Sequence, residues 1–175
     1  MLDQNQINKV KIAAEEFFEK MTINIPSIEV SCSPSDRDDI HKNVSEPDDS
    51  SAAEDRCVVN MEIKTEDDPQ ILIGQQGQTL FEIQRLLRTV LNRKMKLFFY
   101  LNLDINDYKN KKMEYLKDLA KSAADQAVLT KEEKILAPMS SYERRVVHAE
   151  LSIRTDVSTE SQGDGIDRHI VIKPK

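Results

Sequence analysis

Two glycines three positions apart form the first pattern with chemical potential. Gly74 and Gly77 enclose Gln75-Gln76, after the apolar residue Ile73 and before a long apolar-periodic stretch. Glycine allows a tight turn and a close approach of the backbone to a ligand. The first turn of a following helix offers free N–H groups and a positive dipole end to a phosphate. The pattern predicts a phosphate clamp, and the alternative is a purely structural turn between helices.

A second pattern is an arginine and a histidine at helical spacing. Arg144 and His148 are four residues apart, so on a helix they lie on one face and can contact the same phosphate or carboxylate. Arginine offers a bidentate fork and histidine adds a donor from either ring nitrogen. The alternative is a solvated arginine beside a histidine with a structural role.

Patterns for catalysis or metal binding are weak in this chain. An H-x-E triplet begins at His148, as in zinc deaminases, but those enzymes need a downstream P-C-x-x-C, and Cys32 and Cys57 are single and upstream. Acidic pairs such as Asp48-Asp49 are more typical of a solvated loop than of a cation site. The sequence contains no Walker loop and no GxSxG elbow. We therefore expect no enzyme, no metal site and no cofactor.

The first hundred residues predict a helix, two strands, a short helix, the glycine turn, a second helix and a third strand. Apolar spacing predicts a helix over 3–20 and another from about Gln78, with Leu80, Ile83, Leu87 and Val90 toward the core. Alternation over 57–64 and 97–103 predicts strands. Residues 33–56 are rich in Ser, Asp and Pro, which predicts a flexible acidic loop.

The remaining residues predict a small unit of two helices and a hairpin. A long helix is expected over about 107–129, and Ser140 with Glu143 forms the capping box of a second helix that carries Arg144 and His148. Two strand-like segments flank a Gly-Asp-Gly turn at residues 163–165, which predicts a hairpin. We therefore predict an α+β fold in two domains, residues 1–104 and 105–175.

Charge is divided unevenly along the chain. The whole sequence has a formal net charge of −6, but residues 1–70 hold seven Lys and Arg against seventeen Asp and Glu, a net of −10, and residues 71–175 are net +4. A polyanion meets the local field rather than the total. No stretch reaches the ~20 apolar residues of a membrane span, and the start lacks a signal-peptide layout. We expect a cytoplasmic, reduced protein without a membrane span.

Residues 1–104 resemble a KH domain of the type II arrangement, a three-stranded sheet with helices packed on one face. The segment Gly74-Gln75-Gln76-Gly77 corresponds to the GXXG loop, with which KH domains clamp about four nucleotides of a single strand. The resemblance implies backbone contacts from this loop and an apolar groove near Ile71, Ile73, Ile83 and the strand 57–64. Many such loops carry Lys or Arg at the middle positions, where this chain has glutamine.

Residues 105–175 resemble the R-three-H (Arg-x-x-x-His) domain, which is associated with single-stranded nucleic acids. The resemblance rests on the SSYERRVVHAEL segment and the hairpin after it. It implies phosphate contacts for Arg144 and His148. It also implies that other residues near this pair contribute to the nucleic-acid site. These neighbours are Arg145, Arg168, His169 and Lys173.

The two domains in this order resemble the bacterial Jag (SpoIIIJ-associated) family of RNA-binding proteins. That resemblance implies a post-transcriptional regulator that binds single-stranded RNA, with single-stranded DNA left open, and that is linked to cell elongation and division. It also implies a single-KH protein as partner. The basic residues between Lys109 and Lys121 would give a sequence-independent path between the two sites. The alternative is a protein-interaction module that pairs with another KH protein and binds nucleic acid weakly.

Overall fold

The computed structural model describes residues 3–23, 27–34, 57–66, 68–96 and 99–175. The chain divides into two compact units, Met1–Tyr108 and Lys109–Lys175. Most of the expected acidic loop, residues 35–56, lies outside the described residues. Its predicted start was wrong, because Ser33 and Pro34 belong to the first strand and pair with Val58 and Cys57.

The described part of unit 1 contains three helices, a three-stranded sheet and the glycine turn. In chain order its elements are α1 (Gln4–Lys20), β1 (Ser27–Pro34), β2 (Cys57–Lys64), α2 (Pro69–Ile73), the 3-10 turn Gln75–Gly77, α3 (Gln78–Met95) and β3 (Tyr100–Ile105). The strand order is β1-β2-β3, with β1 antiparallel and β3 parallel to the central β2. The predicted order of elements is confirmed, and so is the α+β class.

Alternation along the strands turns one face of this sheet toward the helices. Val59, Met61 and Ile63 of β2 are almost fully buried, as the period of two requires. On α3 the prediction that Val90 is a core residue is wrong, because Val90 is 38% exposed while Leu91 is fully buried. Leu91 follows Leu80 by eleven residues, which is about three turns at 3.6 residues per turn, so it continues the buried stripe.

Unit 2 contains two helices on one face of an antiparallel sheet. Its elements are α4 (Tyr108–Thr130), which begins on the last residue of unit 1, β4 (Lys134–Ile135), α5 (Ser141–Leu151), β5 (Val157–Gln162) and β6 (His169–Pro174). The strand order is β4-β6-β5, and β5 and β6 form the predicted hairpin. Ala124 of α4, Val147 of α5 and Ile170 and Ile172 of β6 are fully buried and form the centre of the core.

Two physical features bear on the class of protein. Within the described ranges, the structure contains no helix that is both long and apolar enough to cross a membrane. Cys32 and Cys57 both lie at partly buried positions, and no disulfide joins them to another cysteine among the described residues.

Candidate nucleic-acid interface

The glycine turn of unit 1 has a backbone that only glycine adopts easily at its two ends. Gly74, which ends α2, has φ +71° and ψ −175°, and Gly77, which precedes α3, has φ +89°. A Cβ atom on Gly74 would overlap the Thr79 side chain and lie 2.9 Å from the Thr79 backbone nitrogen. The spacing of the two glycines is therefore required by the turn itself, whatever the turn binds.

An aromatic side chain lies against the second glycine. A Cβ atom on Gly77 would lie 3.0 Å from Cε1 of Tyr108, so the absence of a side chain lets the tyrosine ring approach the backbone. Tyr108 is partly buried against the core of unit 1 and is the first residue of α4. Sequence reasoning missed this residue because the contact joins positions far apart in the chain and follows no local pattern.

The turn presents two uncharged amides to solvent. Gln75 and Gln76 are exposed, and no side chain caps the start of α3, so the first N–H groups of this helix point toward the turn without a side-chain acceptor from the cap position. Ile71 is 69% exposed beside them, and Ile73 is half-buried. Ile83 is only 6% exposed, which confirms its predicted place on the core side of α3.

The start of α5 fixes the position of the Arg144 turn. The Ser140 hydroxyl accepts from the Glu143 backbone N–H at 3.3 Å, and the Glu143 carboxylate accepts from the Ser140 N–H at 2.7 Å. This capping box was predicted from the sequence and is confirmed. The second Glu143 oxygen lies 3.2 Å from Nζ of Lys112 on α4, which ties the two helices of unit 2 together.

Arg144 and His148 are each held by a hydrogen bond. Nη1 of Arg144 donates to the Met139 carbonyl at 2.8 Å, and Nδ1 of His148 lies 2.7 Å from Oγ1 of Thr159 on β5. Partial burial of the imidazole, and then the charge of Arg144, lower the pKa of His148 below its ordinary 6.5. At neutral pH the ring is therefore uncharged, and Nε2 is the nitrogen left for a ligand.

Arg168 joins the same surface through the loop that contains Met139. The Met139 N–H donates to the Arg168 carbonyl at 3.0 Å, so Met139 contacts both arginines. Nε of Arg168 donates to Oγ of Ser161 at 3.3 Å. Ser161 is two residues after Thr159 and on the same side of β5. We call Arg144, His148, Thr159, Ser161 and Arg168 the Arg-His surface.

Other predicted residues lie away from this surface. Arg145 is exposed, but it directly follows Arg144 on the helix, so its side chain points in a different direction. Lys173 pairs with Ser158 across the hairpin, on the side of the sheet opposite Thr159. Its ammonium lies 2.8 Å from Glu160 and 3.8 Å from Glu133, and the hydrogen bond to Glu160 raises the pKa of Lys173.

His169 also lies away from the Arg-His surface, and part of the basic stretch of α4 is paired with glutamates. His169 pairs with Gln162 on the Lys173 side of the hairpin, and its Nδ1 lies 2.8 Å from the Asp167 carbonyl. Lys112 and Lys121 lie within 3.2 Å of Glu143 and Glu150 on α5. The structure thus brings Arg144, His148 and Arg168 together and places Lys173 and His169 elsewhere.

Sequence reasoning missed Thr159 and Ser161. Both are short hydroxyl residues in a strand, and the only signal in the sequence is that they alternate with Ser158 and Glu160. The pairing Thr159↔Ile172 with the buried Ile172 shows that this side of β5 faces α5 rather than open solvent. Knowing which face of the hairpin packs on the helix is what identifies the two residues.

Comparison with known proteins assigns the second unit. The R-three-H domain family matches residues 114–174. The chain is 39% identical over 109 residues to the RNA-binding protein KhpB of Clostridium symbiosum, which covers 62% of this chain and 49% of that protein. It is 38% identical over 107 residues to the protein of the same name from Bacillus subtilis strain 168, covering 60% of this chain and 51% of that protein.

A more distant relative has the same name. The RNA-binding protein KhpB of Streptococcus pneumoniae is 29% identical over 117 residues, covering 67% of this chain and 35% of that protein. The chain spans about half the length of the first two relatives and less of this one. Residues 114–174 therefore form an R-three-H domain, and the chain is a homologue of the Jag-family proteins named RNA-binding protein KhpB.

Proposed function

We propose that this chain binds single-stranded RNA, with the Arg-His surface of the R-three-H domain as its principal phosphate site. The observation that carries the proposal is the hydrogen-bonded connection that brings Arg144, His148 and Arg168 onto one surface. Two guanidinium groups and a polar imidazole on one surface match the negative oxygens of a sugar–phosphate backbone. The names of the relatives, which are RNA-binding proteins, support RNA as the ligand.

Each group has a distinct role in this proposal. Arg144 and Arg168 use one nitrogen each to hold their position, on the Met139 carbonyl and the Ser161 hydroxyl, and other N–H groups of each fork remain for phosphate. Thr159 fixes the ring of His148, which leaves Nε2 to contact a phosphate oxygen. These contacts recognise the backbone and so favour no particular base.

We further propose that unit 1 is a type II KH domain that holds a second stretch of the same strand. Its helix-strand-strand-helix-helix-strand order, with two parallel strands and the glycine turn between α2 and α3, supports this proposal. The N–H groups at the start of α3 would contact phosphate, and the exposed Ile71 would contact a base. Because Gln75 and Gln76 add no charge, this second site would be weak alone and would gain from tethering to the first.

The cellular setting belongs to the same proposal. We infer a cytoplasmic post-transcriptional regulator, linked to cell elongation and division, that acts with a single-KH protein and has single-stranded DNA as an alternative ligand. The names of the relatives support RNA as the target class.

An interaction module that pairs with another KH protein is the second candidate. It is favoured by the uncharged Gln75-Gln76 pair and by the neutralisation of Lys112 and Lys121 by glutamates of α5. In that case unit 1 would bind protein rather than RNA, and the salt dependence of RNA binding would be small.

A fluorescence anisotropy titration of the full chain with a random single-stranded RNA pool at two salt concentrations distinguishes the candidates. The proposal predicts binding that weakens with salt, with a slope of about −0.7 per phosphate neutralised. An Arg144→Ala/His148→Ala variant with an unchanged unfolding temperature should bind much more weakly. Salt-insensitive binding by the wild type, or wild-type affinity in the variant, would contradict it.

A further inference from the structure

The turn between β5 and β6 presents an isoleucine directly to solvent. Ile166 lies in the short helical turn Gly165–Asp167 and is 92% exposed, the largest value among the exposed large hydrophobic residues of the described ranges. A single exposed apolar side chain is common on protein surfaces and needs no explanation by itself. The position of Ile166 relative to the Arg-His surface is what gives it significance.

The backbone of this turn is held in a defined conformation. Gly163 has φ +84°, and a Cβ atom there would lie 2.8 Å from the Asp167 carbonyl oxygen, so only glycine fits. The Asp167 N–H donates to the Asp164 carbonyl at 3.1 Å, and the ring of His169 contacts the Asp167 carbonyl at 2.8 Å. Ile166 is therefore exposed on an ordered turn rather than on a frayed one.

The turn borders the Arg-His surface. Ile166 precedes Arg168 by two residues, which limits the separation of their Cα atoms to about 7 Å. The Arg168 side chain bonds Ser161, two residues from the partner of His148. A nucleotide whose phosphate lies on the Arg-His surface would therefore have its sugar and base within reach of the turn.

The charges around Ile166 favour a base over a phosphate at this position. Asp164 and Asp167 are both exposed beside it, and their carboxylates repel a phosphate group. A nucleobase carries no net charge and has a flat apolar face. Unpaired bases splay out from a single strand and pack on protein side chains. Isoleucine is among the apolar side chains that proteins place against base faces, as in the wedges that separate base steps of a duplex.

We propose that Ile166 forms a nucleobase subsite next to the Arg-His surface. The proposal rests on the proposed function, since it needs a strand whose phosphate is held by Arg144, His148 and Arg168. Its ligand is an unstacked base of single-stranded RNA that packs on the isoleucine side chain. The Arg-His surface then supplies charge contacts, and the hairpin turn supplies a contact that a bare sugar–phosphate chain cannot make.

The test compares Ile166→Ser with the wild type on two probes, using the full chain. The probes are a labelled oligoadenylate and an abasic ribose–phosphate oligomer of the same length. We expect the substitution to weaken oligoadenylate binding about fivefold, the scale of a partly buried apolar contact, and to leave abasic binding unchanged. Ile153→Ser is the matched control, because Ile153 is 83% exposed outside the hairpin, and it should change neither affinity.

The other outcomes separate the two proposals. Equal weakening on both probes, or no change on either, would overturn the base subsite while leaving RNA binding intact. Failure of the wild-type chain to bind oligoadenylate at all would overturn the proposed function and the base subsite together. Unfolding temperatures of both variants, measured beside the wild type, exclude a loss of folded protein as the cause.

Discussion

The imidazole Nδ1 of His148 lies 2.7 Å from the hydroxyl oxygen of Thr159, across the contact between α5 and β5. A hydroxyl can donate to an unprotonated nitrogen or accept from a protonated one, so this contact holds the ring in either tautomer. It holds the ring through Nδ1 and leaves Nε2 as the nitrogen for a ligand. The histidine is a residue of α5, and its ring orientation depends on Thr159 of the hairpin.

Thr159→Val should weaken RNA binding without removing any charge. Valine keeps the shape of threonine but cannot hold Nδ1, so His148 loses its fixed orientation and we expect affinity to fall about three- to tenfold, roughly the worth of one hydrogen bond. Thr159→Ser keeps the hydroxyl and should retain most of the affinity. Anisotropy titrations of both variants measure the difference, and equal affinities for the two would contradict a positioning role.

RNA affinity should rise as the pH falls below neutrality. Because burial and Arg144 lower the pKa of His148, the ring is neutral at pH 7 in the free protein, and a bound phosphate would stabilise its charged form. Binding then takes up a proton, so affinity increases through and below pH 6.5, whereas a His148→Gln variant should lack this increase. Identical pH profiles for the two proteins would argue against a contact between phosphate and His148.

The same shift has an opposite effect on the folded protein. The folded-state pKa of His148 is lower than its ordinary 6.5, so the unfolded chain binds the proton more readily. This contribution to the free energy of unfolding is complete above pH 6.5. It is lost as the pH falls through the folded-state pKa. Chemical denaturation between pH 7.5 and pH 5, read against His148→Gln and taken at about half-unit steps, measures it.

Arg168→Ala and Lys173→Ala form a matched pair, since each removes one positive charge at or next to β6. Arg168 lies on the Arg-His surface, so its removal should weaken RNA binding and reduce the salt slope by about 0.7. Lys173 lies on the opposite side of the sheet between Glu160 and Glu133, so its removal should leave affinity unchanged. Titrations at several salt concentrations give both slopes, and equal losses would mean that net charge, not position, governs binding.

Gln75→Lys should strengthen binding if the glycine turn contacts phosphate. The side chain is exposed, so a lysine can be accommodated without burial, and one added cation steepens the salt slope by about 0.7 on a single strand. Lys added at an exposed position of unit 1 away from the turn, such as Gln4→Lys, controls for charge alone. If both variants gained equally, the turn would have no special role.

Local patterns in the sequence predicted those features whose cause lies within a few residues. The capping box of Ser140 and Glu143, the glycine turn and the alternation of β2 depend on spacing alone, and each is where the pattern places it. Val90 was predicted to be buried, whereas its neighbour Leu91 is the buried residue. An approximate helical period does not distinguish two adjacent residues unless the elements that pack on the helix are known.

Features that depend on pairing between distant segments were not predictable. Thr159 reaches His148 only because β5 packs on α5, and Tyr108 reaches Gly77 only because the end of unit 1 returns to the glycine turn. Lys173 carries the same charge as Arg168, and only the hairpin register shows that the two side chains lie on opposite sides of the sheet. The sequence identifies residues whose type suits a phosphate site. The strand register of the hairpin shows which of these residues lie on the same side of the sheet.

The most direct test of the central claim is the titration of the His148 imidazole by NMR, with and without saturating single-stranded RNA. If His148 contacts a phosphate on the Arg-His surface, its pKa should rise on RNA binding from the lowered value of the free protein. Ring resonances of His148 that keep the same pKa and chemical shifts while the RNA is bound would contradict the account.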